Sequence, residues 1–367
     1  MKKSLLALAA LTAFAGVASA QSSVTAFGII DLAARNVKNG NAGSIKSLSS
    51  AGQATSRLGF RGVEDLGGGL RAGFWIESEV LADSGAAGST IGTATNVFWA
   101  RRATVSLMGG FGEVRLGRDW SPTFGSFNTT EIFGYVGVAS PANVRGQFYS
   151  NAGSGGATAV RQSNAISYFL PNMGGLIGQV QVSAGEGAVN QNKSVSGRLG
   201  YSAGPLTLAG SWGKMNKIAA MTDDLTTWNA GGRFNFGFAT VGGMYEESDY
   251  RIVGRELKQK LATANIIVPM GKGQLKAQYT KTGGTGNAAT PAQYSAKMFG
   301  VGYVYNMSKR TSLYTNYGSI NNEGNATTGA NFTATGSGPA VASAANPNGM
   351  RRGQTSTGYE FGVRHDF

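Results

Sequence analysis

The sequence predicts an all-β protein: a sixteen-stranded antiparallel transmembrane β-barrel. Three observations lead there. The last eleven residues alternate strictly between two faces, short and long connections alternate along the chain, and no stretch of eighteen apolar residues follows residue 20 to supply a membrane helix. In Thr357–Phe367, Tyr359, Phe361, Val363, His365 and Phe367 share one face, while Glu360, Gly362, Arg364 and Asp366 share the other. A membrane barrel turns such an apolar face to lipid and the charged face to a wet lumen.

The N-terminus reads as a secretory signal peptide over residues 1–20, leaving the barrel to residues 21–367. Lys2 and Lys3 form its basic region, Leu5–Val17 its apolar region, and Ala18-Ser-Ala20 its cleavage site. The chain has no cysteine, which excludes disulfides and Cys-ligated metals. Its one histidine, His365, speaks against a His-based zinc site or a Ser-His-Asp triad. No enzyme, cofactor or nucleic-acid partner is expected, and the sequence leaves open whether a metal sits at a subunit interface. Once Lys2 and Lys3 are removed, 30 basic residues face 19 acidic ones. For an exported chain that surplus suits small anions, the alternative being a generally basic surface with no function.

Glycine- and asparagine-rich tight turns recur at Asp65–Gly69, Gly109–Gly112, Pro171–Gly175, Ala203–Pro205, Asn235–Gly237, Pro269–Gly273 and Asn306–Arg310. Between them lie longer polar connections: Lys38–Gln53, Leu81–Thr95, Gly187–Asn192, Met215–Asp223, Tyr250–Glu256, Gly284–Pro291 and Asn321–Arg352. The longest runs from Gly117 to Val160. About seven short and eight long connections join sixteen strands and put both termini on the short-turn side. The first strand is expected over Val24–Val37. In another, Leu70, Ala72, Phe74, Ile76 and Val80 alternate with Arg71, Gly73, Trp75, Glu77 and Glu79.

The longest connection contains Ile132–Ala139, too apolar to float in water. A loop of about 44 residues is usually functional. Two readings stand: it folds into the lumen and narrows it, or it forms an extracellular flap. Near it, alternation with Leu58 and Phe60 puts Arg57 and Arg61 on the lumen face, and alternation with Ile166 and Tyr168 does the same for Arg161. Parity with Val105 and Leu107 turns Arg102 inward if those two face outward, and Arg101 if they lie under the loop.

The segments Ser22-Ser-Val-Thr-Ala-Phe-Gly-Ile-Ile-Asp31, Ser56–Leu70, Val105-Ser-Leu107, Phe111–Arg118, Asn164–Tyr168 and Gly362–Phe367 resemble the Gram-negative general-diffusion porins of beta-proteobacteria, most nearly the anion-selective members. The resemblance runs the mature length. It implies an outer-membrane homotrimer whose third long loop enters the pore and faces an arginine cluster with carboxylates. Carried over, the cluster is Arg57, Arg101 and Arg161, with Glu77 on the wall and Glu131, or Asp119, on the loop. The loop lacks the Pro-Glu-Gly-Arg-like tip of enterobacterial relatives, which leaves the loop carboxylate open. The resemblance also implies that the insertion machinery reads Phe367. The expected function is passive diffusion of small hydrophilic solutes with anion preference, in contact with outer-membrane lipids and lipopolysaccharide. The alternatives are a substrate-specific channel for phosphate or organic acids, an outer-membrane enzyme and a secreted adhesin.

Overall fold

The computed structural model describes residues 23–41, 43–88, 97–145, 160–185, 193–216, 224–252, 255–285, 293–323, 332–334 and 353–367. The expected signal peptide lies outside these residues, as do 146–159 of the longest connection and the predicted connection 187–192.

Sixteen wall strands form one closed antiparallel sheet. They are β1 (Ser23–Asn39), β2 in two pieces (Ser44–Ser50 and Arg57–Gly67), β3 (Leu70–Leu81), β4 (Arg102–Gly109) and β5 (Gly112–Trp120). A short helix α1 (Pro122–Phe127) precedes β6 (Arg161–Phe169), β7 (Leu176–Ser183), β8 (Ser194–Ala203), β9 (Leu206–Met215) and β10 (Leu225–Asn235). Then come β11 (Thr240–Ile252), β12 (Arg255–Met270), β13 (Gly273–Thr285), β14 (Gln293–Asn306), β15 (Thr311–Glu323) and β16 (Thr355–Asp366). The two-residue arm Ala86–Ala87 only folds back on β3.

Each strand pairs with its sequence neighbours, and β1 pairs with β16 to close the ring. Closure satisfies backbone groups that a membrane would leave without partners. Phe367 completes the seam: its N–H donates to Gly28 O and Gly28 N–H donates to Phe367 O, both at 3.0 Å. A side chain at Gly28 would strike the Phe367 ring and the Arg57 carbonyl. Gly28→Val is therefore expected to destabilise the barrel by about 1–3 kcal/mol, as overpacking does. Deleting Phe367 removes both hydrogen bonds and should lower the yield of folded, heat-modifiable protein; unchanged yield would refute the role given to this seam.

The wall is inside-out relative to a soluble protein. Val105, Val180, Leu199, Trp212, Phe299, Tyr359 and Phe361 are exposed, whereas their sheet-mates Asn229, Glu246, Asn265, Gln278, Thr280 and Glu360 are buried. Expectation and structure differ in two connections. The predicted connection Lys38–Gln53 contains the strand Ser44–Ser50, which pairs with Leu32–Lys38 of β1. Although that segment lacks apolar alternation, the long β1 has backbone groups there that need partners. The predicted connection Tyr250–Glu256 is mostly strand, since β11 and β12 stay paired to Ile252 and Arg255.

Between the two pieces of β2, residues 51–56 bend around Asp31, which is fully buried. Its carboxylate accepts from the N–H groups of Gly52, Gln53 and Ala54 at 3.2, 2.9 and 2.6 Å, and from the Tyr314 hydroxyl. Ala51 adopts a left-handed φ of 66° at this bend.

The segment after β5 packs on the polar face of the wall. Asn229, Gln259, Asn265 and Lys276 donate to the carbonyls of Thr123, Val144, Thr130 and Ile132 at 2.7–3.0 Å. Glu360 accepts from Val138 N–H at 3.3 Å. Arg145, fully buried, makes a two-pronged ion pair with Glu246 at 2.6 and 2.9 Å and lies 4.5 Å over the Phe127 ring. Phe127, Val138 and Val144 share a core with Met244, Leu261, Met298 and Ile320 of the wall. Those four apolar residues stand where alternation otherwise places polar ones, and the segment covers them. Gly300, Gly318 and Gly358 lie opposite one another on β14, β15 and β16. A Cβ on any of them would collide with Val138 or Ala139, so this row of missing side chains sets how closely the segment approaches.

Candidate pore-lining site

The predicted arginines come from strand ends that the sheet brings together. Arg57 opens the second piece of β2, Arg161 opens β6, and Arg101 lies one residue before β4. Glu77, on β3, alternates with the exposed Phe74 and is buried on the polar face. Its Oε1 accepts from Arg101 Nε at 2.6 Å and lies 3.5 Å from Arg57 Nη1. Arg161 Nε donates to the Arg101 carbonyl at 2.6 Å, and Trp75 Nε1 donates to Glu77 Oε2 at 3.2 Å. Two guanidinium groups thus pair with one carboxylate, and a third is tied to the backbone of one of them.

Both Arg101 and Arg102 belong to the site. Val105 and Leu107 are exposed, so alternation puts Arg102 on the polar face, opposite Glu77 in register. Its guanidinium lies 4.4 Å over the Trp75 ring. Arg101 precedes the strand and escapes the alternation; its N–H donates to Glu77 O at 3.2 Å.

Asp119 is also here, on β5 and not on the loop where the resemblance would put it. β5 continues three residues past Gly117 because Asp119 and Trp120 pair with Gln162 and Arg161 across a bulge. Asp119 is held by Arg115 Nη1 and lies 3.8 Å from Arg102 Nε. Arg115 also grips Glu113 at 2.9 and 3.0 Å. Arg198 reaches in from β8, with its guanidinium against Gly125 of α1 and its buried Nε lacking a hydrogen-bond partner among the described residues.

Two predicted residues lie apart. Glu131 accepts from the N–H groups of Phe133 and Tyr135 at 2.9 and 2.8 Å, so it braces its own turn and does not face the arginines. Burial pushes its carboxyl above the ordinary range, against the pull of those N–H groups and of Lys276. Arg61 is exposed and lies 5.4 and 5.0 Å from the rings of Phe27 and Trp75.

A cavity of about 290 Å³ takes in Arg57, Arg101 and Arg161 together with Arg102, Arg115 and Arg198; Glu77 and Asp119 are the carboxylates among its described lining residues. Sequence reasoning passed over Arg115 and Arg198. The signal was present, because Arg198 alternates with the exposed Val195, Leu199 and Tyr201 and so belongs to the polar face.

The model of the family described as "Gram-negative porin" matches residues 7–325. The chain belongs to the Gram-negative porins. This porin is 35% identical to outer membrane porin protein 32 of Delftia acidovorans over 383 residues, covering all of both chains. It is 26% identical to an outer membrane porin protein of Bordetella pertussis, over 87% of this chain and 94% of that one. Among solved structures, the anion-selective porin from Comamonas acidovorans superposes with a TM-score of 0.78 at 30% identity, over 95% of this chain and 100% of that one. The trimer form of OmpT from Vibrio cholerae shares the fold, with a TM-score of 0.64 at 14% identity over 94% of this porin and 99% of that chain. Family and fold make the protein an outer-membrane diffusion channel of a Gram-negative bacterium, and they point to a channel rather than an enzyme.

Proposed function

We propose that this porin passes small hydrophilic solutes passively with a preference for anions. The segment 121–145 occupies the lumen and sets the size limit, and the arginine groups set the sign of charge admitted. The observation that carries this reading is one cavity lined by six arginines and two carboxylates, in which Arg57 and Arg101 pair with Glu77 and Arg161 is tied to the Arg101 carbonyl. Guanidinium charge survives every accessible pH, and a narrow passage walled by low-dielectric protein focuses its field on ions in transit. Support also comes from the Delftia and Comamonas relatives, one of which is described as anion-selective.

The working assembly is a homotrimer, by likeness to trimeric relatives of the fold. Its surroundings are outer-membrane lipid and lipopolysaccharide, and Phe367 is the residue that the insertion machinery reads. The test is the zero-current potential of the purified protein in planar bilayers under a KCl gradient. The sign for chloride preference is expected; a value near zero, or the sign for potassium preference, overturns the reading.

A further inference from the structure

The exposed face of the wall carries a charge arrangement that the channel does not use. On the strands next to the long connections, Lys258 and Lys260 (β12), Lys281 (β13) and Lys297 (β14) alternate with the buried Gln259, Leu261, Thr282, Ala296 and Met298. All four lysines therefore stand on the face that meets the membrane. Lys281 is directly opposite Lys297 in the sheet, and Lys260 is opposite Gly283, one diagonal step away. Like charges placed opposite one another weaken a strand pair.

The neighbouring carboxylates offset this only in part. Glu247 lies 3.6 and 3.9 Å from Lys258 and Lys260, and Glu323 lies 2.5 Å from Lys297. Asp249 faces Lys258 in register. No ion pair to Lys281 is found among the described residues. Tyr245, Lys258, Lys260, Lys281 and Ser295 line an open groove of about 610 Å³. One step further from the rim, Tyr279 and Phe299 sit opposite each other and are exposed, with Tyr317 beside them on β15. A charged row directly above an aromatic row is the arrangement of a membrane interface, where long lysine stems reach from apolar wall to polar headgroups.

We infer that this groove binds a phosphorylated headgroup of an outer-leaflet glycolipid, with the lipid's acyl chains lying along the aromatic row. The occupant must be anionic, because the groove's surplus charge is positive. It must also carry chains, because the surface below the lysines is apolar and exposed. A second copy of the chain fits less well, since a basic patch repels its own like. The inference is independent of anion preference in the pore.

The experiment uses the full-length porin in detergent, wild type and the variant Lys260→Gln/Lys281→Gln/Lys297→Gln. Thermal unfolding is followed with added bisphosphorylated lipid A, with a dephosphorylated form of the same lipid, or with inorganic phosphate alone. Lipid A is expected to raise the wild-type melting temperature, and the variant is expected to lose that shift. Lys281→Gln alone, which removes the facing like charge, should melt no lower than wild type without lipid and gain less from it. An equal shift from inorganic phosphate or from the dephosphorylated lipid overturns the inference, as does a lipid A shift that survives in the triple variant. Dissociation of the native oligomer in Lys281→Gln, with no change in lipid response, assigns the face to a second copy and overturns it too.

Discussion

Replacing Arg57, Arg101 and Arg161 with serine should move the zero-current potential in a KCl gradient far from the wild-type value, toward that of an unselective pore. At about 4–8 Å and an effective dielectric constant of about 20–80, one fixed charge changes an ion's energy by roughly 0.5–4 kcal/mol before screening. Salt at physiological strength screens charges beyond about 8 Å, so remote residues should contribute little. The substitution also leaves the Glu77 carboxylate without its two guanidinium partners, adding a local attraction for cations. Arg102, Arg115 and Arg198 remain in the cavity, so some anion preference should persist until they too are removed. The control set is Lys193→Ser, Lys258→Ser and Lys297→Ser. Lys258 and Lys297 stand on the membrane-facing side of the wall, and Lys193 is exposed at the entrance to β8. If the control set shifts the potential as much as the arginine set, total charge governs permeation and the site assignment fails.

The second large effect is expected at Arg145. Its ion pair with Glu246 is buried, and its guanidinium also donates to the Tyr135 hydroxyl at 2.9 Å. Removing one partner of a buried pair typically costs about 3–5 kcal/mol, because the other charge is stranded. Arg145→Met should therefore release the 121–145 segment from β10 and β11 and raise single-channel conductance. The double variant Arg145→Met/Glu246→Gln removes the stranded charge and should recover much of the wild-type conductance. Wild-type conductance in Arg145→Met would mean that the segment does not limit the passage.

Most of the wall could be read from the chain because each strand solves the same local problem. Period-two alternation sorts Tyr359, Phe361 and Val363 from Glu360 without knowledge of any neighbour, and glycine-rich turns mark where strands reverse. What could not be read depended on the partners of each residue. Ser44–Ser50 looks like a connection until the unpaired half of β1 is considered. Arg101 and Arg102 look like alternatives until β4 is seen to begin between them. Glu131 is the expected charge in the expected loop, yet two N–H groups of its own turn claim it. Met244, Leu261, Met298 and Ile320 break the polar alternation, and only the overlying segment explains why.

The bend around Asp31 has a consequence for the order of assembly. Its hydrogen bonds tie strand β1 to residues 52–54 and to Tyr314 on β15, while Glu360 on β16 joins Arg35, Asn316 and Val138. The berth for residues 121–145 is thus built largely from the last third of the chain, although the segment itself is made in the first half. Contacts so distant in sequence are paid for in chain entropy before they reward folding. The nascent barrel can begin to seat this segment on β10–β13, but the berth is complete only when β16 brings Gly358 and Glu360 round to meet β1. Full seating of residues 121–145 and closing of the ring are then coupled late in assembly, and a barrel that fails to close leaves this segment only partly held.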